Sequence, residues 1–192
     1  LVGAFLLLLS MGVNGLVAVA GAIAMAFCSY NLQIIQVGHN TKMQALAFFP
    51  WVLAGVIFTY KAALRNDVRK WLPKTIMGAV LFSLALSMQI KANHIQITYY
   101  LAIVIFVYAI ALLTDLCINN RQMLKRFFAA SALLLVIGCI GIATNANKLI
   151  PTYEYTPYTM RGGSELSSER ESHNDKGLDL EYATAWSYGI EE

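Results

Sequence analysis

Apolar runs long enough to cross a lipid bilayer recur along the chain, separated by short polar stretches. A helix of roughly 20 apolar residues spans a hydrocarbon core of about 30 Å. Blocks of that kind run from about Ala45 to Tyr60, Thr75 to Ile90, Ile97 to Leu116 and Phe127 to Thr144. The opening stretch is apolar too, but residues 1–30 as one helix would be about 45 Å long, more than one bilayer core needs. Gly12, Asn14 and Gly15 supply a break, leaving Leu1–Ser10 as the end of one helix and Leu16–Tyr30 as most of the next. Pro73 falls in the first turn of its helix, where a missing N–H costs nothing. The pattern predicts an all-α, polytopic transmembrane helix bundle of about five spans, the first of them truncated.

Composition agrees with the pattern. Of 192 residues 58% are apolar and only 13% charged, and the mean hydropathy is +0.57, which excludes an ordinary water-soluble globule. The charge is unevenly spread: residues 149–192 carry net −6, whereas residues 1–148 carry +9. The expected organisation is therefore a basic bundle over 1–148, followed by an acidic, Ser/Tyr/Gly-rich and largely irregular segment over 149–192. The basic residues form no single stripe, so nucleic acid is not an expected partner. Leu1 lies inside an apolar run with no basic n-region or cleavage site, and the chain stops abruptly at Ile190-Glu191-Glu192. An internal fragment of a longer membrane protein is expected, its outer segment truncated as well. Cys28, Cys117 and Cys139 have no metal-site spacing and are expected to be buried as small hydrophobes.

Loop charge sets the expected orientation. Lys61, Arg65, Arg69, Lys70 and Lys74 share one loop, and Arg121, Lys125 and Arg126 share another. The positive-inside rule puts residues 61–74 and 117–126 in the cytoplasm. Residues 31–44, residues 91–96 and the acidic tail then face outward.

The chemically suggestive residues collect on that outer side. One group is Gln36-Val37-Gly38-His39-Asn40-Thr41-Lys42, a second Lys91-Ala92-Asn93-His94-Ile95-Gln96 with Tyr99 and Tyr100, and a third Tyr153-Glu154-Tyr155 with Tyr158 and Arg161-Gly162-Gly163. Each has a plainer reading. Lys near a helix end snorkels to lipid headgroups, the tyrosines suit an interfacial belt, and a double Gly is often only a turn. What raises the interest is His beside Asn in both of the first two groups, at matching depth. A His/His/Glu metal site using Glu154 is not fixed by any spacing, so neither metal nor cofactor is expected. Within the spans Asp115 is the only acid, near a cytoplasmic end, while Ser87 and Gln89 lie near an outer end. That placement argues against a pump or ion-coupled carrier, which needs ionisable groups near the midplane.

At these same residues the chain resembles the YfhO-like family of bacterial polytopic membrane proteins, whose architecture is similar to that of GT-C-type glycosyltransferases. The resemblance rests on Gly38-His39-Asn40-Thr41-Lys42 with Leu53-Ala54-Gly55, and on Ala92-Asn93-His94-Ile95-Gln96-Ile97-Thr98-Tyr99-Tyr100. It continues through Thr152-Tyr153-Glu154-Tyr155, Arg161-Gly162-Gly163-Ser164-Glu165-Leu166, Gly177-Leu178-Asp179 and Tyr182-Ala183-Thr184-Ala185-Trp186-Ser187-Tyr188-Gly189. It implies a multi-pass protein of the bacterial cell membrane that moves a sugar from a polyprenyl-phosphate donor to a cell-envelope glycopolymer or lipid on the outer face. The lipid and solute transporter and the non-enzymatic membrane scaffold are the competing classes. The family's usual catalytic carboxylate would precede this stretch, so no acid here inherits that role, and Glu154 is the one candidate near the membrane surface. His39, Asn40, Lys91, Asn93, His94, Gln96 and Arg161 are the expected substrate-binding residues. Lys91, Arg161 and the imidazoles would face the departing phosphate, with Asn40, Asn93 and Gln96 on sugar hydroxyls.

Overall fold

The computed structural model describes residues 1–65 and 71–158. Every regular element among them is helical: α1 (Val2–Met11), α2 (Gly15–Ala26), α3 (Ser29–Gln36), α4 (Asn40–Ala63), α5 (Trp71–Lys91), α6 (Ile95–Asn119), α7 (Leu124–Ala143) and α8 (Ala146–Tyr155), with short 3-10 turns at Arg121–Met123 and Thr156–Tyr158. The chain divides into two compact units, Leu1–Asn145 and Ala146–Glu192. The second begins with α8 and its 3-10 turn, so the first residues beyond the bundle are helical. The remainder of the expected irregular tail lies outside the described residues.

Among the described residues five stretches are long and apolar enough to cross a membrane: Gly15–Gln36, Asn40–Ala63, Trp71–Lys91, Ile95–Asn119 and Arg121–Ala143. Leu84, Phe106, Leu135 and Val136 are among many large apolar side chains left on outward faces. In water such a surface would drive aggregation; in lipid it is the solvated surface of a membrane protein.

The spans start and stop differently from the apolar blocks. As expected, α1 ends before Gly12, which takes a left-handed φ of 94°, and the Asn14 side chain accepts from the Leu16 N–H at 3.0 Å to start α2. The helix expected over Leu16–Tyr30 instead breaks at Phe27-Cys28, where Asn31 Nδ2 donates to the Met25 carbonyl at 2.8 Å. The outer loop expected over 31–44 is mostly helix. Ile34 of α3 is buried, and α4 already begins at Asn40, leaving Val37-Gly38-His39 as the turn. Cys117 and Cys139 are exposed and Cys28 half-buried, so the expectation that all three are buried fails. In a bilayer an outward apolar face suits a thiol as well as a core does.

Helix α4 is the most buried of the spans, and α5 packs against it on one side and against α7 on the other. A Cβ added to Gly55 of α4 would lie 2.6 Å from the Phe82 backbone N, so only glycine permits this approach. On the other side the Ser83 hydroxyl donates to the Ile137 carbonyl at 2.8 Å, and Asn145 Nδ2 donates to the Ser87 carbonyl at 3.0 Å. Small residues and hydroxyls at the contact replace the hydrophobic driving force that lipid removes. Tyr60 stacks on Phe127 with ring centroids 5.2 Å apart and shares a 2.9 Å hydrogen bond with Ser131. Towards the same end Arg126 donates to the Arg65 carbonyl at 2.9 Å and lies over the Trp71 ring. The two cationic turns therefore sit together at one end of the bundle, and the α3–α4 and α5–α6 turns at the other.

Candidate functional site

At that opposite end the first turns of α4 meet the α5–α6 turn. Ala45, Ala92 and Ile97 form a small buried cluster, bordered by Leu46 and Phe49. The residues of the first two polar groups surround it: His39, Asn40, Lys91, Asn93 and Gln96 are exposed, and Lys42 and His94 are half-buried. Lys42 places its ammonium 5.3 Å from the Tyr30 ring centre, and Gln96 Nε2 donates to the Tyr100 hydroxyl at 3.1 Å. Tyr99 and Tyr100 are exposed and tilted against each other, as an interfacial belt requires.

The repeated His and Asn turn out to share a backbone motif. Each turn has one residue in the left-handed region, Gly38 at φ 82° and Asn93 at φ 57°, and each is followed at once by a histidine that precedes the next helix without a side-chain cap bond. A left-handed residue closing a helix is usually glycine, with asparagine the common substitute. Half of the sequence pairing is thus explained by chain reversal: Asn93 is the residue that turns, whereas Asn40 is the first residue of α4.

Beneath the second turn lies a residue that carried no assigned role in the sequence. Gln89 is completely buried in α5; its Nε2 donates to the Ala45 carbonyl across the helix contact at 3.4 Å, and its Oε1 has no partner. Nδ1 of His94 is likewise sealed from solvent without a partner. Among the described residues these are the buried side-chain polar atoms left unsatisfied, and both fall in one stretch of six residues. Each such atom costs about 1–3 kcal/mol. A polar amide inside an apolar span was the available signal, but its depth and facing emerge only from packing.

Two other expected residues belong to the second unit or lie beyond the described residues. Glu154 is exposed on α8, in the second unit, and Arg161 lies outside the described residues. Among the described residues no three His, Cys, Asp or Glu side chains come together. Buried polar groups deeper in the spans are satisfied locally, Thr59 by the Gly55 carbonyl and Thr75 by the Trp71 carbonyl. No family model, curated protein or solved structure matches this chain.

Proposed function

We propose that the chain is part of an integral membrane transferase that takes a sugar from a polyprenyl-phosphate carrier and passes it to a cell-envelope acceptor on the outer face of a bacterial membrane. The observation that supports it is the meeting of the α3–α4 and α5–α6 turns around Ala45, Ala92 and Ile97. That meeting gathers His39, Asn40, Lys42, Lys91, Asn93, His94 and Gln96 at one end of an otherwise apolar bundle. A lipid-linked sugar has its reacting group at this level, with its chain in the bilayer and its phosphate at the boundary. The lysines and imidazoles supply charge and N–H donors where phosphate leaves, and the amides supply partners for hydroxyls. Glu154 is the candidate within the chain for the carboxylate that would take the acceptor's proton. A transporter is the weaker reading, because the deeper hydroxyls of the spans bond to nearby carbonyls and line no polar path.

The test is transfer from a polyprenyl-phosphate sugar donor by the full-length protein in liposomes. His94→Ala is expected to lower turnover by roughly 10²–10³, the loss of one aimed group in a partly dehydrated site. Arg161→Ala asks the same of the tail, and Arg69→Ala, in the basic stretch 61–74, should leave turnover unchanged. Equal activity in all three would remove the proposal and favour a scaffold. Orientation is checked separately by a single cysteine at Arg65 in a Cys-free background. It should resist a membrane-impermeant thiol reagent in intact cells and react after permeabilisation.

A further inference from the structure

In the half of the bundle away from the histidine turns, α1, α4 and α5 enclose an apolar groove. It is a cavity of about 450 Å³, walled by Leu6 and Leu9 of α1, Ala54 and Phe58 of α4, and Met77 and Leu81 of α5. Its walls follow helical spacing. Ala54 and Phe58 stand on one stripe of α4, and Leu81 and Met77 on one stripe of α5, since residues three or four apart share a helix face. Three residues further toward the cationic end, the first stripe reaches Lys61 and the second Lys74. The two helices are matched in level there, because a Cβ on Gly78 of α5 would stand 2.9 Å from the Phe58 ring. Helix α1 ends at the same level, and Lys61 Nζ lies 3.8 Å from where a Cβ on Gly12 would be. Both lysines are exposed, and none of α1, α4 and α5 carries an acid to balance them.

A lysine near a helix end ordinarily snorkels to whatever headgroup is near. These two differ in standing one turn beyond the stripes that wall a cavity. Met77, on the rim, is exposed, so the cavity opens toward lipid. Apolar walls take a hydrocarbon chain and a pair of ammonium groups takes an anion, and an anionic lipid meets both demands in one molecule. We propose that the groove binds an anionic glycerophospholipid of the adjoining leaflet, one acyl chain lying between α1, α4 and α5 and the phosphate between Lys61 and Lys74. A zwitterionic lipid fits less well, because its own ammonium is brought beside two lysines. The site owes nothing to the sugar-transfer reading, whose residues lie at the other end of the bundle.

The test is native mass spectrometry of the full-length protein in detergent, titrated with phosphatidylglycerol or with phosphatidylethanolamine of identical chains. Phosphatidylglycerol should bind in preference. Lys61→Gln and Lys74→Gln should each weaken it about fivefold and the double variant about thirtyfold, the worth of a basic residue near an anionic lipid taken once and twice. The pair Arg121→Gln and Lys125→Gln, which removes two cations at the same end but outside the groove, should leave the affinity unchanged. Glycerol phosphate, a headgroup without chains, should not compete. Met77→Trp and Leu9→Trp narrow the groove from opposite walls at exposed positions that folding tolerates, and at least one of them should weaken binding with both lysines in place. Equal binding of the two lipids overturns the proposal, as does competition by glycerol phosphate. So does a loss in the control pair equal to that in the groove pair, or full affinity in both tryptophan variants.

Discussion

The turns before α4 and before α6 each hold one left-handed residue followed by a histidine, and have opposite interiors. In the turn before α4 the left-handed residue is Gly38, and the side chain three positions inside the helix end is Ile34, buried and apolar. In the turn before α6 the left-handed residue is Asn93, and the equivalent side chain is Gln89, buried and polar. In the first turn Gly38 donates to the Ile35 carbonyl and His39 to that of Ile34; in the second Ala92 donates to Gln89 and Asn93 to Ile90. The first turn is built as stability alone would build it, with a residue free to adopt positive φ over an apolar contact. The second accepts a costlier left-handed residue and a buried amide. A departure from local optimum that a simple substitution could have removed marks the place where something other than stability is being served.

The largest expected difference between the turns is in transfer activity. His39→Ala should reduce turnover less than tenfold while His94→Ala reduces it by about 10²–10³, because His39 is exposed and His94 is half-buried. Equal losses would dissolve the distinction. Next comes exchange of the inner residues. Ile34→Gln should destabilise the bundle by about 1–3 kcal/mol in denaturation from mixed micelles, since it buries an amide without a partner. Gln89→Ile should be neutral within about 1 kcal/mol, because it removes an unpartnered Oε1 together with the one long bond to Ala45. The smallest effect belongs to the left-handed residues themselves. Gly38→Ala should cost about 1–2 kcal/mol, whereas Asn93→Gly should be neutral or stabilising by less than about 1 kcal/mol.

Where the sequence revealed this architecture and where it hid it follow from what hydropathy measures. Four apolar blocks grew into α4, α5, α6 and α7 because about 20 apolar residues have few alternatives to a spanning helix. Their ends moved outward. Asn40-Thr41-Lys42 are polar yet helical, since a helix that protrudes from the hydrocarbon keeps its backbone bonds while its side chains turn hydrophilic. Helix α3 was hidden because Gln33 and Gln36 interrupt Leu32, Ile34 and Ile35 as a loop would. The same limit applies to the site. His39 and His94 could be paired by their neighbours, but the αL residue that makes each pairing, and the burial that separates them, depend on φ and on packing. Gln89 stood in plain view as a polar residue in a span, and only the face it presents, toward Ala45 of α4, gives it a role.

One feature of α6 bears on how the molecule is assembled. One stripe of this helix is packed, with Ile97, Leu101 and Leu116 buried and Ile105, Tyr108 and Leu112 half-buried between them; the rest of its surface is exposed. Such a segment is at equilibrium in lipid before it meets a neighbour. Helix α5, with Ser83, Ser87 and Gln89, is not, because its polar side chains acquire partners only when α4 and α7 arrive. Membrane insertion and the docking of α4, α5 and α7 are thus distinct events in its biogenesis, and a chain halted between them would expose the amide of Gln89 to hydrocarbon, a lesion that membrane quality control can recognise.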